Sequence, residues 1–338
     1  MPENTPPADD TPLPATPRIR ITGPGDLAQA LPYLLGHTGL ADDVVLLATR
    51  GRRTVLTLRL DLAALAAGVL WSATVAEALT AAQADHVHVI AYPVGPVTDA
   101  TLATLHTDLV IAAAARPKPL DIAHVVTVAD GTWWAHDLHA AAPAGPGTPI
   151  VANPTLTLGL TVGYGAPAPS RAHAVSVLDR HPDPVLAHVE ALIAGIGPRE
   201  TTTRTQAAQT ALARRIDRSL DWSLPEAADV LDALTDRHTR DLLVVQSHHQ
   251  HAWWTWSTLL PYAPRRWRAP VATMVAFAAH QRGNGLLAGA AVDQALDADP
   301  SYALAQMFAQ VLKLGLTPAQ VRDDLLAPAA AELADGRP

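Results

Sequence analysis

The sequence predicts an α/β fold, a mixed sheet with covering helices, followed by a mostly α-helical domain. Three observations carry that expectation. Two apolar runs, Val44 to Ala48 and Thr54 to Leu60, flank the turn-like Arg50-Gly51-Arg52-Arg53. From Ser72 to Ala129 helical and extended patterns alternate, and beyond a Pro/Gly-rich stretch at Ala141 to Pro149 nearly everything reads as helix.

In chain order, Met1 to Pro17 is rich in Pro, Thr and Asp and reads as a disordered tail over residues 1–17, with no signal-peptide pattern. Asp26 to Leu35 reads as a helix capped by Asp26, with Leu27, Ala30, Leu31 and Leu34 on one face and Gly36 as its end. The two apolar runs then form a β-hairpin. Ser72 to Ala84 is expected to be helix, His86 to Tyr92 strand, Thr98 to Ala115 helix and Ala123 to Ala129 strand. Strands alternating with helices imply right-handed crossovers and a partly parallel sheet. The α/β domain is therefore set at residues 18–140 and the linker at 141–149, where Pro143, Gly145, Pro146, Gly147 and Pro149 break any regular element.

The helical domain is expected over residues 150–327, with a C-terminal tail at 328–338. Ser223 with Glu226 and Thr317 with Gln320 have capping-box spacing. The segments near Gly195 to Thr203 and Ala263 to Arg268 read as connections. Residues 269–302 form a helical hairpin broken at Gly283-Asn284-Gly285, with Ala288, Ala295 and Pro300 spaced as in a tetratricopeptide repeat.

Composition narrows the function classes. A chain of 338 residues with 49% hydrophobic residues has material for two cores, and the absence of cysteine excludes disulfides, thiolate metal sites and a cysteine nucleophile. That pattern fits a reducing compartment, and a cytoplasmic location is expected. The formal net charge of -8 disfavours nucleic acid and anionic membranes as partners. Apolar runs such as Asp108 to Ala115 fall far short of the roughly 20 residues a membrane-spanning helix needs.

Several strings are shared with a known family. These are Asp26-Leu27 with Leu31-Pro32-Tyr33-Leu34-Leu35-Gly36-His37, then Val44-Val45-Leu46-Leu47, Arg59-Leu60-Asp61-Leu62 and Asp130-Gly131-Thr132-Trp133-Trp134, and in the repeat-like stretch Asp299-Pro300-Ser301-Tyr302 at its turn. On these the chain resembles the actinobacterial domain-of-unknown-function family numbered four-one-nine-two. A proline expected after the Asp-Leu pair is Ala63 here. The resemblance implies membership and no activity.

Candidate site residues come from topology. In open α/β sheets ligands collect outside the carboxyl ends of the strands. Asp61, Tyr92 and Asp130 each follow or end a strand, Trp134 lies just beyond, and His37 precedes the hairpin; these five are the ligand-binding candidates. Asp61 caps a turn and Asp130-Gly131 forms a tight turn in the alternative reading. His248 and His251 could share a helix face as metal ligands, but an interface role beside Trp253, Trp254 and Trp256 is favoured, and no metal is assigned. His136, Asp137 and His139 could bind a metal or activate water but read as an ordinary short surface loop, and His86 and His88, two apart on a strand, read as a partly exposed sheet face. Gly23-Pro24-Gly25 lacks a phosphate-loop signature, no Ser lies in a nucleophile elbow, and Arg265, Arg266 and Arg268 read as solvated surface.

The leading expectation is thus a binding or interaction protein with a small-ligand cleft in the α/β domain and a protein partner on the helical domain. The alternative is a hydrolase or transferase using Asp61 and Asp130, with or without a divalent metal. The residues name no cofactor.

Overall fold

The computed structural model describes residues 20–63, 72–94, 99–136, 145–217, 221–246 and 252–334. Helix α1 (Pro24–Leu35) leads into it, ended by Gly36. Asp26 does not cap this helix as expected. Pro24 supplies helical φ at the first position, so the helix begins earlier, with Gly23 as the N-cap, and Asp26 in the first turn accepts from the amide (3.0 Å) and the hydroxyl of Thr22.

Strands β1 (Asp43–Arg50) and β2 (Arg53–Asp61) form the hairpin. Helix α2 (Ser72–Ala81), strand β3 (His86–Tyr92), helix α3 (Asp99–Ala114) and strand β4 (Asp121–Ala129) follow, then the short strands β5 (Thr132–Ala135) and β6 (Thr148–Pro149). The sheet runs β2-β1-β3-β4-β5-β6, with β3 and β4 parallel across the α3 crossover and every other neighbour pair antiparallel. The Pro/Gly-rich segment therefore contains a regular element after all: Thr148 and Pro149 pair with Trp133 and Thr132 at the sheet edge, where a proline's missing N–H costs no ladder bond. Residues 137–144 lie outside the described residues.

Period-two alternation assigns the two faces. Val44, Leu46 and Ala48 with Val87, Val89 and Ala91 meet Val75 and Leu79 of α2 and Leu105 and Leu109 of α3. On the other face Val45, Leu47, Ile90 and Tyr92 meet Leu27 and Leu31 of α1. Helix α4 (Pro154–Tyr164) covers the back of α1, burying Leu156 and Leu160 against Ala30 and Tyr33. Asn153, its N-cap, donates to Asp26 Oδ1 (3.1 Å), and Gln29 bridges to the carbonyl of Val151 and the amide of Asn153 (both 2.9 Å). Chain beyond residue 150 thus packs directly on the first helix.

Helices α5 (Arg171–Val175), α6 (Asp183–Gly195), α7 (Thr201–Asp217), α8 (Leu224–Ala233), α9 (Arg237–Gln246), α10 (Ala252–Leu259), α11 (Arg265–Gln281), α12 (Gly285–Ala298) and α13 (Ala303–Lys313) build the helical region. Residues 318–334 close it through a π-helical stretch at Val321–Leu326, so helix continues to Ala334 where a tail was expected from 328. Both expected capping boxes are formed. Helix α11 is the central post, buried from Val271 through His280, and Phe277 stacks on Phe308 of α13 with ring centroids 4.1 Å apart.

The stretch Ala263 to Arg268 is a correction. Its arginines open α11, because Trp267 is buried and carries the helix back to Arg265. Arg268 is committed internally, donating to the carbonyl of Leu178 (2.8 Å) and to Gln294 Oε1 (2.6 Å). The helical hairpin is formed by α11 and α12, with Ala288 and Ala295 fully buried between its helices and their neighbours. No helix among the described residues is long and apolar enough to cross a membrane.

Candidate binding site

Strand direction brings one set of ends together. The carboxyl ends of β2, β3 and β4 and the start of β1 share an edge of the sheet, and in register Asp61, Asp43 and Tyr92 lie side by side across β2, β1 and β3. Directly opposed residues project from the same face, here the α1 face, as does Arg59 opposite Val45. Thus a carboxylate that pattern reading passed over, Asp43, sits at the centre.

Asp43 is 1% exposed, and its Oδ1 is held by Arg59 at 2.6 Å. A carboxylate removed from water needs such a partner, and the bond is short as a charge-assisted pair should be. Its second oxygen, Oδ2, is buried without a hydrogen-bond partner. Tyr92, 9% exposed, has its hydroxyl in the same condition; burial first, then the Asp43 charge, pushes its ionisation far upward, so the phenol stays protonated.

His37 completes the group from the turn after α1. Its backbone makes a parallel bridge with Ala168, with Thr38 donating to the Ala168 carbonyl (2.8 Å) and Ala168 donating to that of Gly36 (2.9 Å). The loop before α5 therefore clamps this turn over the sheet edge. The imidazole is 1% exposed and its Nδ1 is unpartnered. Burial lowers its pKa first and the positive charge of Arg59 next, opposed by Asp43 and joined by Arg171, so it is neutral at neutral pH. These influences also locate Asp43, Arg59 and Arg171 around it.

Of the five sequence candidates, His37, Asp61 and Tyr92 meet at this corner. Asp61 lies at the exposed rim and accepts from the amide of Ala63 (2.8 Å). Asp130 occupies the β4–β5 turn with φ of 47°, with strands β1 and β3 between β4 and β2. Three strand spacings separate it from Asp61 laterally, roughly 14 Å. Trp134 pairs with Thr127, whose neighbour Ala91 faces α2 and α3, so its ring is on the opposite face from Tyr92. There it packs over Gly147, where an added Cβ would fall 2.5 Å from the indole. Trp133 is the tryptophan on the site's face, against Gly25 at the start of α1.

The remaining sequence clusters resolve differently. His88 and His124 stack in register on β3 and β4, their Nδ1 atoms 3.0 Å apart. His136 bonds Thr127 Oγ1 at 2.8 Å. Asp137, His139, His248 and His251 lie outside the described residues, and among the described ones no group of three His, Asp or Glu is spaced to hold a metal. Sequence reading missed Asp43 and Arg59 because their meaning depends on strand register. Asp42-Asp43 ahead of an apolar run looks like a polar turn until the strand is extended by one residue.

What the geometry defines is an α/β protein with a polar site buried at one sheet edge, continued by a helical bundle. The chain belongs to DUF4192, a domain of unknown function, whose family model matches residues 24–319. That span runs from α1 past α13, so the sheet and the helices belong to one family unit. No curated protein and no solved structure matches it.

Proposed function

We propose that this protein binds a small polar molecule at the carboxyl edge of its sheet, beneath the His37 turn. One observation carries the reading: Asp43 Oδ2, Tyr92 Oη and His37 Nδ1 belong to side chains more than nine-tenths buried, at neighbouring positions, and none has a hydrogen-bond partner. Leaving one buried polar group unpaired costs about 1–3 kcal/mol, so three in one corner are best explained by a ligand that pairs them. The position also agrees with the general siting of ligands in α/β sheets.

The alternative of a hydrolase or transferase using Asp61 and Asp130 is the weaker reading, since two carboxylates three strand spacings apart, roughly 14 Å, are too distant to share a substrate atom or a metal. For the helical region we propose contact with a protein partner; the half-exposed indole of Trp254, beside the buried Trp253 and Trp256, supports it. A cytoplasmic location is proposed with it.

Differential scanning fluorimetry with a panel of metabolites tests the ligand reading. A hundredfold excess over Kd stabilises a protein by about 2.7 kcal/mol, a readily measured rise in melting temperature. Wild type should respond to at least one class of compound and Asp43→Asn should not. A panel that leaves both unmoved counts against the site.

A further inference from the structure

Resting on that reading, we infer that the molecule held at this edge is an uncharged polyhydroxylated compound, of the sugar, cyclic polyol or nucleoside class, and not a phosphate ester, a carboxylate or a polyamine. The first argument is charge. Asp43 on β1 is ion-paired with Arg59 on β2 at 2.6 Å, one negative group against one positive, while Asp61 and Arg171 are exposed to water. Asp42, the next carboxylate along the chain, already accepts from the amide of Val94 at 3.0 Å. A site balanced in this way repays no net charge on its ligand, and in a water-poor corner an unbalanced charge is penalised heavily.

The second argument is donor and acceptor character. Asp43 Oδ2 is offered as an acceptor, because the carboxylate pairs through Oδ1 with the Arg59 guanidinium at 2.6 Å and leaves its second oxygen without a donor. A phosphate or carboxylate oxygen has nothing to donate there and would face the Asp43 charge at hydrogen-bond distance. A polyamine satisfies Asp43 but offers no acceptor to the Tyr92 hydroxyl and meets the guanidinium of Arg59. The Tyr92 phenol and the neutral His37 imidazole each present one site that a hydroxyl can meet whichever way the proton lies. A hydroxyl donates and accepts at once, so neighbouring hydroxyls on one small molecule can satisfy all three atoms together.

Isothermal titration calorimetry on the full chain tests this with D-ribose, myo-inositol and adenosine as neutral probes, and ribose 5-phosphate and putrescine as charged ones. Saturable binding of a neutral probe is expected, at least tenfold tighter than its phosphorylated or amine counterpart. Tyr92→Phe should weaken that binding at least tenfold without lowering the melting temperature, which separates loss of a contact from loss of the fold. Tighter binding of ribose 5-phosphate or putrescine would overturn the ligand class while leaving a small-molecule site in place. Should no probe bind at millimolar concentration, the ligand class is overturned by that result, and the wider metabolite panel decides the binding reading separately.

Discussion

The Tyr92 hydroxyl offers the most direct test at the scale of one residue. It is buried and unpartnered, so in the ligand-free protein it contributes a desolvation cost and no bond. Tyr92→Phe should therefore stabilise the free protein by about 1 kcal/mol, read from urea denaturation. A loss of stability of comparable size would mean that the hydroxyl is paired. The same residue illustrates what the sequence made legible. Tyr92 and Asp61 could be selected as strand ends from the pattern alone, because an end of a strand is a local property. Asp43 and Arg59 could not, since their pairing at 2.6 Å depends on how β1 lies against β2. Trp134 failed for the related reason that one position along β5 decides the face, and Trp133 holds the side first expected of its neighbour.

Elements were read more securely than contacts. Strand β3 and the hairpin follow from apolar runs bounded by turns, and both capping boxes from four-residue signatures. The α4 segment, by contrast, gives no local sign of its partner: it is anchored on α1 through Asn153 and Gln29, well over a hundred residues apart. Two substitutions probe how elements meet. Ala295 is fully buried in α12, and Ala295→Trp should overpack its surroundings and destabilise by about 1–3 kcal/mol; an unchanged melting temperature would contradict the tight helix contact. Gly315 joins α13 to the closing helix with φ of 63°, and an added Cβ would lie 3.0 Å from that of Ala78 in α2. Gly315→Ala should cost about 1–2 kcal/mol from the left-handed conformation alone. Full stability in that variant would show that the junction can shift freely.

For the whole molecule, acid sensitivity follows from where its imidazoles lie. His37, His88, His136 and His280 all have pKa values below the ordinary 6.5, with burial as the first cause in each. A depressed imidazole takes up its proton at higher pH in the unfolded chain than in the folded one. Its contribution is complete above pH 6.5 and is lost as the pH falls below that value. His86, raised chiefly by its hydrogen bond to Asp85, acts in the opposite sense but is a single group near the surface. The urea midpoint should therefore drop between about pH 7.5 and about pH 5.5. A flat or rising midpoint would count against burial of these side chains in neutral form. The short strand β6 has a consequence of another kind. A sheet that ended at β5 would offer a neighbouring molecule the unpaired amides of Thr132 to Ala135, an invitation to add strands without limit. Thr148 and Pro149 occupy part of that margin instead, and the proline's ring nitrogen has no hydrogen to offer an incoming chain. The composition that looked like a mere spacer thus also guards against fibrous self-association.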